Sequence, residues 1–522
     1  MKKFKRLLIY IIPLLCFLPI YILRDYTPNN ELRYVSIVDE ALNNGSIVTF
    51  SNHGLPYADK PPLYFWLMML GREFTGDHLL LFMGIINLAI VACIMAVMNQ
   101  WCFPNANNRK ILPPMLTLLT TGLFTGSFLV MRMDILMTLF IVLSLYTFYK
   151  MYKGSASKDD EWLFPLYLFL AVFSKGPVGL LIPLISIVLF LLVKKKIKNI
   201  VYFFGVRTWG VFLVLCGIWF LGVWLEGGKE YLNNLLFHQT VDRAVNSFHH
   251  KEPFYFYILR FWLLAAPWSL FVVAAFIHGI RKKFISGNIK LQFFVVIIVA
   301  SFLFLSIISS KVDIYLLPVY PFFIYYAFIT ADRLKQSKFV KAMIWIPVIL
   351  MCACLPIVLY LEQNTSYTLP YPWLLYISAG ILTLISLLAA LLLYKNQVAQ
   401  ATGIASAGII IFVFLNSFQL PAFNKYIGLE EVAKVGQTIG RQYKTMRYYS
   451  YGIGRAENME VYLHLPVNQI NSIQTITDEN IISKPFILFT SAKEISRNDS
   501  LRQFLINKPR QIVGKYEVYT IN

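Results

Sequence analysis

The chain has few charged residues, and acidic ones are scarcer than basic ones. Only 14% of its 522 residues are charged, whereas 57% are hydrophobic, and the mean hydropathy is +0.60. A water-soluble domain cannot bury so much apolar surface. The composition therefore excludes a soluble protein and predicts one that crosses a membrane several times.

The chain also lacks metal-binding cysteine motifs, internal repeats and low-complexity segments. Its six cysteines all lie in or beside apolar runs and read as small hydrophobic residues; they are Cys16, Cys93, Cys102, Cys216, Cys352 and Cys354. Residues 1–23 contain four basic residues before an apolar run, but no small-residue cleavage site precedes Arg24. We therefore expect a retained first helix rather than a cleaved signal peptide.

Apolar runs predict about thirteen transmembrane helices, since lipid offers the backbone no hydrogen-bond partners and spans must be helical. The runs lie near 7–23, 78–98, 111–131, 135–149, 162–173, 177–193, 208–225, 254–277, 291–309, 314–330, 342–361, 371–394 and 401–420. The net charge of +20 comes from short Lys and Arg clusters between these runs. Such clusters are typical of cytoplasmic loops rather than of nucleic-acid binding.

With the N-terminus in the cytoplasm, the basic clusters fall on the cytoplasmic side of an inner, or cell, membrane. The opposite side then receives the loops at 24–77 and 226–253 and the region after 421, where charges are isolated and lie beside aromatic or acidic residues. We expect the active site on this periplasmic side.

The fold class that we predict is an all-α polytopic membrane domain, 1–420, followed by a small α/β extracytoplasmic domain, 421–522. The C-terminal region is polar and has no spanning run. Its residue pattern predicts a helix at Glu430–Tyr443 and strands at Arg447–Tyr451, Pro485–Thr490 and Tyr516–Ile521.

Several charged residues next to membrane-spanning runs require an explanation, because burying an unpaired charge is costly. Glu31, Arg33, Asp59 and Lys60 follow the first run, among aromatic residues that include Tyr57. They fit either a solvated loop or a site in which Arg33 and Lys60 hold an anionic lipid headgroup.

Other isolated charges mark later helix junctions. Arg132 and Asp134 fit a salt-bridged turn or a functional pair, and Lys175, at a Gly-Pro break, fits a lysine that reaches water or a ligand. The 226–253 loop carries His238 and Arg243, but its adjacent histidines do not have the spacing of a metal site. A further helix start contains Lys311 and Tyr315.

Taken together, five cations would share the periplasmic face, an arrangement that suits a phosphate or pyrophosphate group. They are Arg33, Lys60, Lys175, Arg243 and Lys311. At a lipid boundary such a group indicates a lipid phosphate, with nearby acids transferring protons or orienting the attacking group.

The ordered motifs resemble those of the aminoarabinose transferases of bacterial lipid A, which stand with the protein mannosyltransferases in the GT-C class. The resemblance covers about residues 7–330 and weakens beyond. Its motifs are Asn-Glu-Leu-Arg-Tyr at 30–34, Tyr-Ala-Asp-Lys-Pro-Pro at 57–62, Arg132-x-Asp134, Ser-Lys-Gly-Pro at 174–177, Arg243 with the following His-Lys-Glu-Pro-Phe-Tyr, and Ser-Lys-Val-Asp-Ile-Tyr-Leu-Leu-Pro at 310–318.

The resemblance implies a GT-C glycosyltransferase that moves a sugar, such as aminoarabinose, from undecaprenyl phosphate to lipid A or a related envelope glycolipid. This modification is associated with polymyxin resistance. In the family, the positions matching Arg33, Lys60, Lys175, Arg243 and Tyr315 hold the lipid phosphate, with that of Tyr57 nearby. Those matching Asp59 and His238 can hold a divalent metal ion, and no other cofactor is implied.

One residue departs from the family pattern, because Asn30 stands where the family usually has Asp. A phosphate acceptor would need no base, whereas a hydroxyl acceptor would need one from Glu31, Asp59 or Asp134. Two alternatives stay open, namely a protein or glycan acceptor and a lipid transporter or flippase. Transporters commonly show repeats and mid-membrane charges, which this sequence lacks, so the enzyme is favoured.

Overall fold

The computed structural model describes residues 2–236, 252–334, 337–364, 370–477, 482 and 484–522. Its described residues divide into two compact units. Unit 1 comprises residues 1–19, 58–67 and 81–416, and unit 2 comprises 20–57, 68–80 and 417–522. The domain boundaries predicted from the sequence, 1–420 and 421–522, stay a prediction.

Unit 1 is built from helices. They are Lys2–Leu15, Leu80–Cys102, Asn108–Leu119, Gly122–Leu129, Asp134–Lys153, Lys158–Lys175, Val178–Val193, Ile200–Phe203, Val206–Asn233, Phe256–Leu264, Ser269–Arg281, Ile289–Ile307, Tyr320–Leu334, Lys338–Cys352, Cys354–Gln363, Pro372–Tyr394 and Val398–Ser417, with 3-10 turns at Ile197–Asn199 and Asp313–Val319. Its core contains many aromatic side chains among the aliphatic ones: Trp101, for example, packs against Phe294 with ring centres 5.0 Å apart. The helix Leu63–Thr75 supplies residues to both units.

Seven described helices are long and apolar enough to span a membrane, and the number of candidate spans rises to as many as eleven if each of four bent helix pairs counts as one span. The chain is therefore a multi-pass membrane protein, with fewer candidate spans than the thirteen predicted. Two predicted runs account for the difference. The helix Lys158–Lys175 begins with four charged residues, and Val178–Val193 has only 16 residues.

Three of the bent pairs divide runs that the sequence presents as continuous. The bend is 73° between Asn108–Leu119 and Gly122–Leu129, 120° between Phe256–Leu264 and Ser269–Arg281, and 47° between Lys338–Cys352 and Cys354–Gln363. The fourth joins Leu7–Leu23 to Pro28–Asn44. Hydropathy continues across the first three bends, which is why a window average predicts one span for each of these pairs.

Unit 2 contains a five-stranded sheet in the order Val467–Ile470, Tyr448–Tyr451, Phe486–Ser491, Tyr516–Ile521, Arg510–Val513. The first three strands are parallel, and the last two run antiparallel to their neighbours. The other elements of unit 2 are helices at Leu18–Leu23, Arg33–Asn44, Leu420–Ile427, Glu430–Gln442, Glu460–Leu463, Ile473–Thr477, Ala492–Arg497 and Asp499–Leu505, helical turns at Pro28–Leu32 and Ala456–Met459, and a short hairpin of Ser51–Asn52 and Leu55–Pro56. The small C-terminal sheet region predicted from the sequence is present.

Candidate functional site

Lys175 is the last residue of its helix in unit 1. Gly176 follows with φ +106°, a left-handed conformation that glycine adopts readily, and the next helix begins after Pro177. The helix break predicted from Gly-Pro is therefore present. The Lys175 side chain is only 8% exposed, so its ammonium does not reach water as an interfacial lysine would.

Asp134 is the carboxylate that compensates Lys175. It begins the helix Asp134–Lys153, its side chain is 3% exposed, and it forms an ion pair with Lys175. Arg132 Nε also contacts Asp134 Oδ2, at 3.2 Å. Two cations thus share one carboxylate, and the three groups together carry a positive charge.

Tyr315 and Lys60 complete this cluster in unit 1. The Lys175 ammonium lies 4.8 Å from the centre of the Tyr315 ring, in a cation–π contact. Lys60 and Arg132 lie close enough for their charges to repel that of Lys175. We call Lys60, Arg132, Asp134, Lys175 and Tyr315 the cationic cluster; an anion such as phosphate would relieve its excess positive charge.

Lys311, which the sequence grouped with these cations, has a different environment. Its side chain is buried, and its ammonium donates hydrogen bonds to the backbone carbonyls of Glu252, at 2.9 Å, and Ile308, at 2.7 Å. These bonds hold the chain just before Tyr315. Lys311 therefore supports the local backbone.

In unit 2, Arg33 begins the helix Arg33–Asn44. Its guanidinium carbon lies 5.6 Å from the centre of the Tyr34 ring and 5.5 Å from that of Tyr57. Its buried Nε has no hydrogen-bond partner within the described part of the chain. A guanidinium packed against aromatic rings with a donor to spare can bind an oxyanion.

Glu31, two residues earlier, is fully buried and paired with Arg24. Arg24 Nη1 and Nη2 donate to the two carboxylate oxygens at 2.6 and 2.5 Å. Sequence reasoning did not single out Arg24, because it reads as the polar end of the first apolar run. The sequence shows an acidic residue, Glu31, seven residues later, but its burial and its pairing with Arg24 become visible only in the structure.

The remaining predicted residues are placed as follows. Asp59 is half-buried in unit 1, next to Lys60 in the chain. His238 and Arg243 lie outside the described residues. Among the described residues no group of three or more His, Cys, Asp or Glu side chains could hold a metal ion.

Unit 2 also contains a polar cavity of about 580 Å³ that the sequence did not predict. Its lining includes Asp39, His53, His78 and Glu460. His53 contacts Glu460 at 3.3 Å and Asn458 at 3.1 Å. The Glu460 carboxylate, and then Asn458, raise the pKa of His53 against the opposing effect of burial. More than 400 residues separate the partners, so no local pattern reveals the pairing.

Comparison with known proteins supports the resemblance predicted from the motifs. No protein-family model matches the chain. A protein of Aquifex aeolicus described as uncharacterized is 28% identical over 385 residues, covering 70% of this chain and 71% of that protein. The undecaprenyl phosphate-alpha-4-amino-4-deoxy-L-arabinose arabinosyl transferase of Serratia proteamaculans is 22% identical over 296 residues, or 55% of this chain and 52% of that enzyme. The chain thus matches about half the length of this named relative.

The fold is shared with a solved structure. ArnT from Cupriavidus metallidurans, in a crystal structure bound to undecaprenyl phosphate, aligns with a TM-score of 0.76 and 17% identity, covering 100% of this chain and 98% of that one. The predicted GT-C membrane fold and the resemblance to aminoarabinose transferases are confirmed. The prediction of a glycosyltransferase agrees with the names of these relatives.

Proposed function

We propose that the chain is a glycosyltransferase that takes a sugar from undecaprenyl phosphate and passes it to an envelope acceptor. The observation that carries this proposal is the cationic cluster. It holds the ammonium of Lys175 away from water while Asp134 compensates only one of two adjacent cations. Such an excess of positive charge favours an anionic ligand, and a lipid phosphate is the anion that a membrane bundle would meet.

The same cations would lower the barrier of transfer. When the bond between the sugar and the lipid phosphate breaks, negative charge grows on the phosphate and positive character on the sugar carbon. Lys60 and Lys175 would stabilise the departing phosphate without gaining or losing a proton. We also propose that Arg33, Arg243, Tyr57 and Tyr315 bind lipid phosphate.

The three acids proposed for catalysis have different surroundings. Glu31 and Asp134 are engaged in buried ion pairs, which suits them to orient cations. Asp59 is half-buried, so it is the acid that we favour as proton acceptor for a hydroxyl group. With a phosphate acceptor no base is needed, and Asn30→Asp would then leave the rate nearly unchanged.

We further propose that the sugar is aminoarabinose and the acceptor lipid A, which would place the protein in polymyxin resistance. Support comes from the similarity of the chain to proteins named as undecaprenyl phosphate aminoarabinose arabinosyl transferases. Basic clusters between the spans favour a cytoplasmic N-terminus and a periplasmic site in the bacterial inner membrane. A divalent metal at Asp59 and His238 stays part of the proposal, with no step assigned to it.

The test is transfer by the purified full-length protein in detergent, with undecaprenyl-phosphate aminoarabinose as donor and lipid A as acceptor, followed by the mass of the product. Wild type should add one sugar, and Arg33→Ala should lower the rate by about 100-fold or more. Arg72→Ala is the matched control, because Arg72 is a partly exposed arginine of unit 2 that contacts Asp39 at 3.8 Å.

Equal rates in the Arg33→Ala and Arg72→Ala variants would contradict the phosphate role of Arg33. If folded wild type gives no product, other polyprenyl-phosphate sugars and a protein or glycan acceptor would be tried next. Movement of labelled undecaprenyl phosphate across vesicles without any sugar transfer would instead support the transporter.

A further inference from the structure

The carboxylate of Glu31 receives four hydrogen bonds inside unit 2. Besides the two from Arg24, the backbone N–H and the hydroxyl of Thr27 each donate to Oε2 at 2.8 Å. Three of these donors meet at Oε2 and one at Oε1, so both oxygens of the carboxylate are held in place. The pair is also shielded, with Glu31 fully buried and the Arg24 side chain 8% exposed.

These bonds fix the backbone that leads into Arg33. Residues Pro28–Leu32 form one π-helical turn, an uncommon conformation that frequently occurs at functional sites. Glu31 reaches back from this turn to Thr27, at its start, and to Arg24, before it. The helix of Arg33 begins immediately afterwards, so rotating this turn would move the guanidinium away from Tyr34 and Tyr57.

We propose that Arg24 and Glu31 are positioning residues that orient Arg33 toward the donor phosphate. This inference rests on the proposed function. Glu31 does not accept a proton during transfer. Protonation would remove the negative charge that binds Nη1 and Nη2 of Arg24, and it would leave a buried cation without its partner. Arg24 acts on the phosphate through Glu31 and the turn.

The test compares kcat, the KM of the donor and the pH profile in four variants of the full-length protein. Glu31→Gln keeps a hydrogen-bond acceptor and the size of the side chain but removes its negative charge. Arg24→Gln leaves the buried Glu31 carboxylate without the arginine that compensates it. Arg24→Lys keeps the positive charge but cannot donate to both carboxylate oxygens as the guanidinium does. The Arg24→Gln/Glu31→Gln double variant removes both charges together, so that no unpaired buried charge destabilises the fold.

For Glu31→Gln we expect the donor KM to rise about tenfold, the size of effect that a slight misplacement of a binding group produces, with the pH profile unchanged. Arg24→Lys should be less impaired than Arg24→Gln. The double variant should also be less impaired than Arg24→Gln, because it leaves no lone buried charge.

Binding of undecaprenyl phosphate alone, without sugar, is measured in parallel. Weaker binding in Glu31→Gln than in wild type is the expected result. A loss of kcat with unchanged binding and a lost acidic limb of the pH profile would overturn the proposal and make Glu31 a base. Wild-type values in all four variants would overturn it too. If wild type itself neither binds this lipid nor transfers sugar, the proposed function fails first, and the positioning role fails with it.

Discussion

The ammonium of Lys175 lies 4.8 Å from the centre of the Tyr315 ring, and both residues stand where helical segments meet. Lys175 ends one helix, and Tyr315 belongs to the 3-10 turn that precedes another. An aromatic face stabilises a cation without neutralising it. Tyr315 therefore helps to fix the position of the lysine without adding negative charge, and Asp134, which Lys175 shares with Arg132, leaves a net positive charge for a phosphate.

The first prediction concerns this contact. Lys175→Met should lower sugar transfer by about 100-fold or more, because one electrostatic donor to the leaving group is lost. Tyr315→Leu should lower the rate roughly fivefold, the equivalent of about 1 kcal/mol of cation–π energy, and Tyr315→Phe should lower it less because the ring remains. Initial rates in detergent provide the measurement.

Lys150→Met is the control for this prediction. Lys150 also forms an ion pair, with Asp160, and also lies over a tyrosine, with its ammonium 5.2 Å from the centre of the Tyr146 ring. Because Lys150 lies near a loop predicted to be cytoplasmic, the Lys150→Met variant should transfer sugar at the wild-type rate. A similar loss in both methionine variants would show that the effect is structural.

The second prediction separates stability from function at Asp134. Asp134→Asn leaves Lys175 buried without its partner, which typically costs about 3–5 kcal/mol. The Asp134→Leu/Lys175→Met double variant removes both charges and should regain most of the lost thermal stability in detergent, yet remain inactive. Glu161→Gln, which breaks the more exposed pair with Arg207, should cost only about 0–1 kcal/mol. A double variant as unstable as Asp134→Asn would contradict the pairing.

How far the sequence predicts the fold is clearest in the sheet of unit 2. The helix Glu430–Gln442 and the strands Tyr448–Tyr451, Phe486–Ser491 and Tyr516–Ile521 lie within one or two residues of their predicted bounds. The two strands not predicted, Val467–Ile470 and Arg510–Val513, are the edges of the sheet. Edge strands are solvated and polar, so they carry little of the hydrophobic pattern on which prediction depends.

The candidate site likewise contains residues that the sequence predicts and residues whose role becomes visible only in the folded structure. Local motifs located Asp134 and Lys175, because a charge at a helix junction is visible in the sequence itself. Arg24 was overlooked because its importance comes from the partner that the fold supplies. The pairing of His53 with Glu460 depends on two segments that only the folded unit brings together.

The third prediction follows from the raised pKa of His53. A histidine whose pKa is higher in the folded state than the unfolded value of about 6.5 stabilises the fold fully below that value. This contribution is lost as the pH rises through the folded pKa. The thermal stability of the wild type should therefore fall between about pH 6 and about pH 8 by more than that of His53→Gln.

The groups around His53 define the controls. Asn458, Glu457 and Glu460 all favour its charged form, and Glu460 contributes most. Glu460→Gln should thus weaken the pH dependence as His53→Gln does, whereas Glu494→Gln, elsewhere in unit 2, should leave it intact. Identical pH dependence in wild type and His53→Gln would rule out this source of stability.

The last prediction concerns Gly428, which packs directly against Asp25 in unit 2. A Cβ at position 428 would lie 1.7 Å from Asp25 Oδ2, although the glycine has a negative φ that any residue can adopt. Asp25 accepts hydrogen bonds from the Tyr462 hydroxyl at 2.6 Å and from the Glu430 N–H at 2.8 Å. Gly428→Ala should therefore push the carboxylate off its donors and destabilise the fold by about 1–3 kcal/mol.

A glycine of the same unit gives the matched control, since a Cβ at Gly454 would meet nothing within 4 Å. Gly454→Ala should leave the unfolding temperature in detergent nearly unchanged, whereas Gly428→Ala should lower it. Asp25→Ala removes the atoms that the new methyl group would strike, so adding Gly428→Ala to that variant should cost little further stability. If the two alanine substitutions at 25 and 428 were instead additive, the cost at Gly428 would have to come from something other than its contact with Asp25.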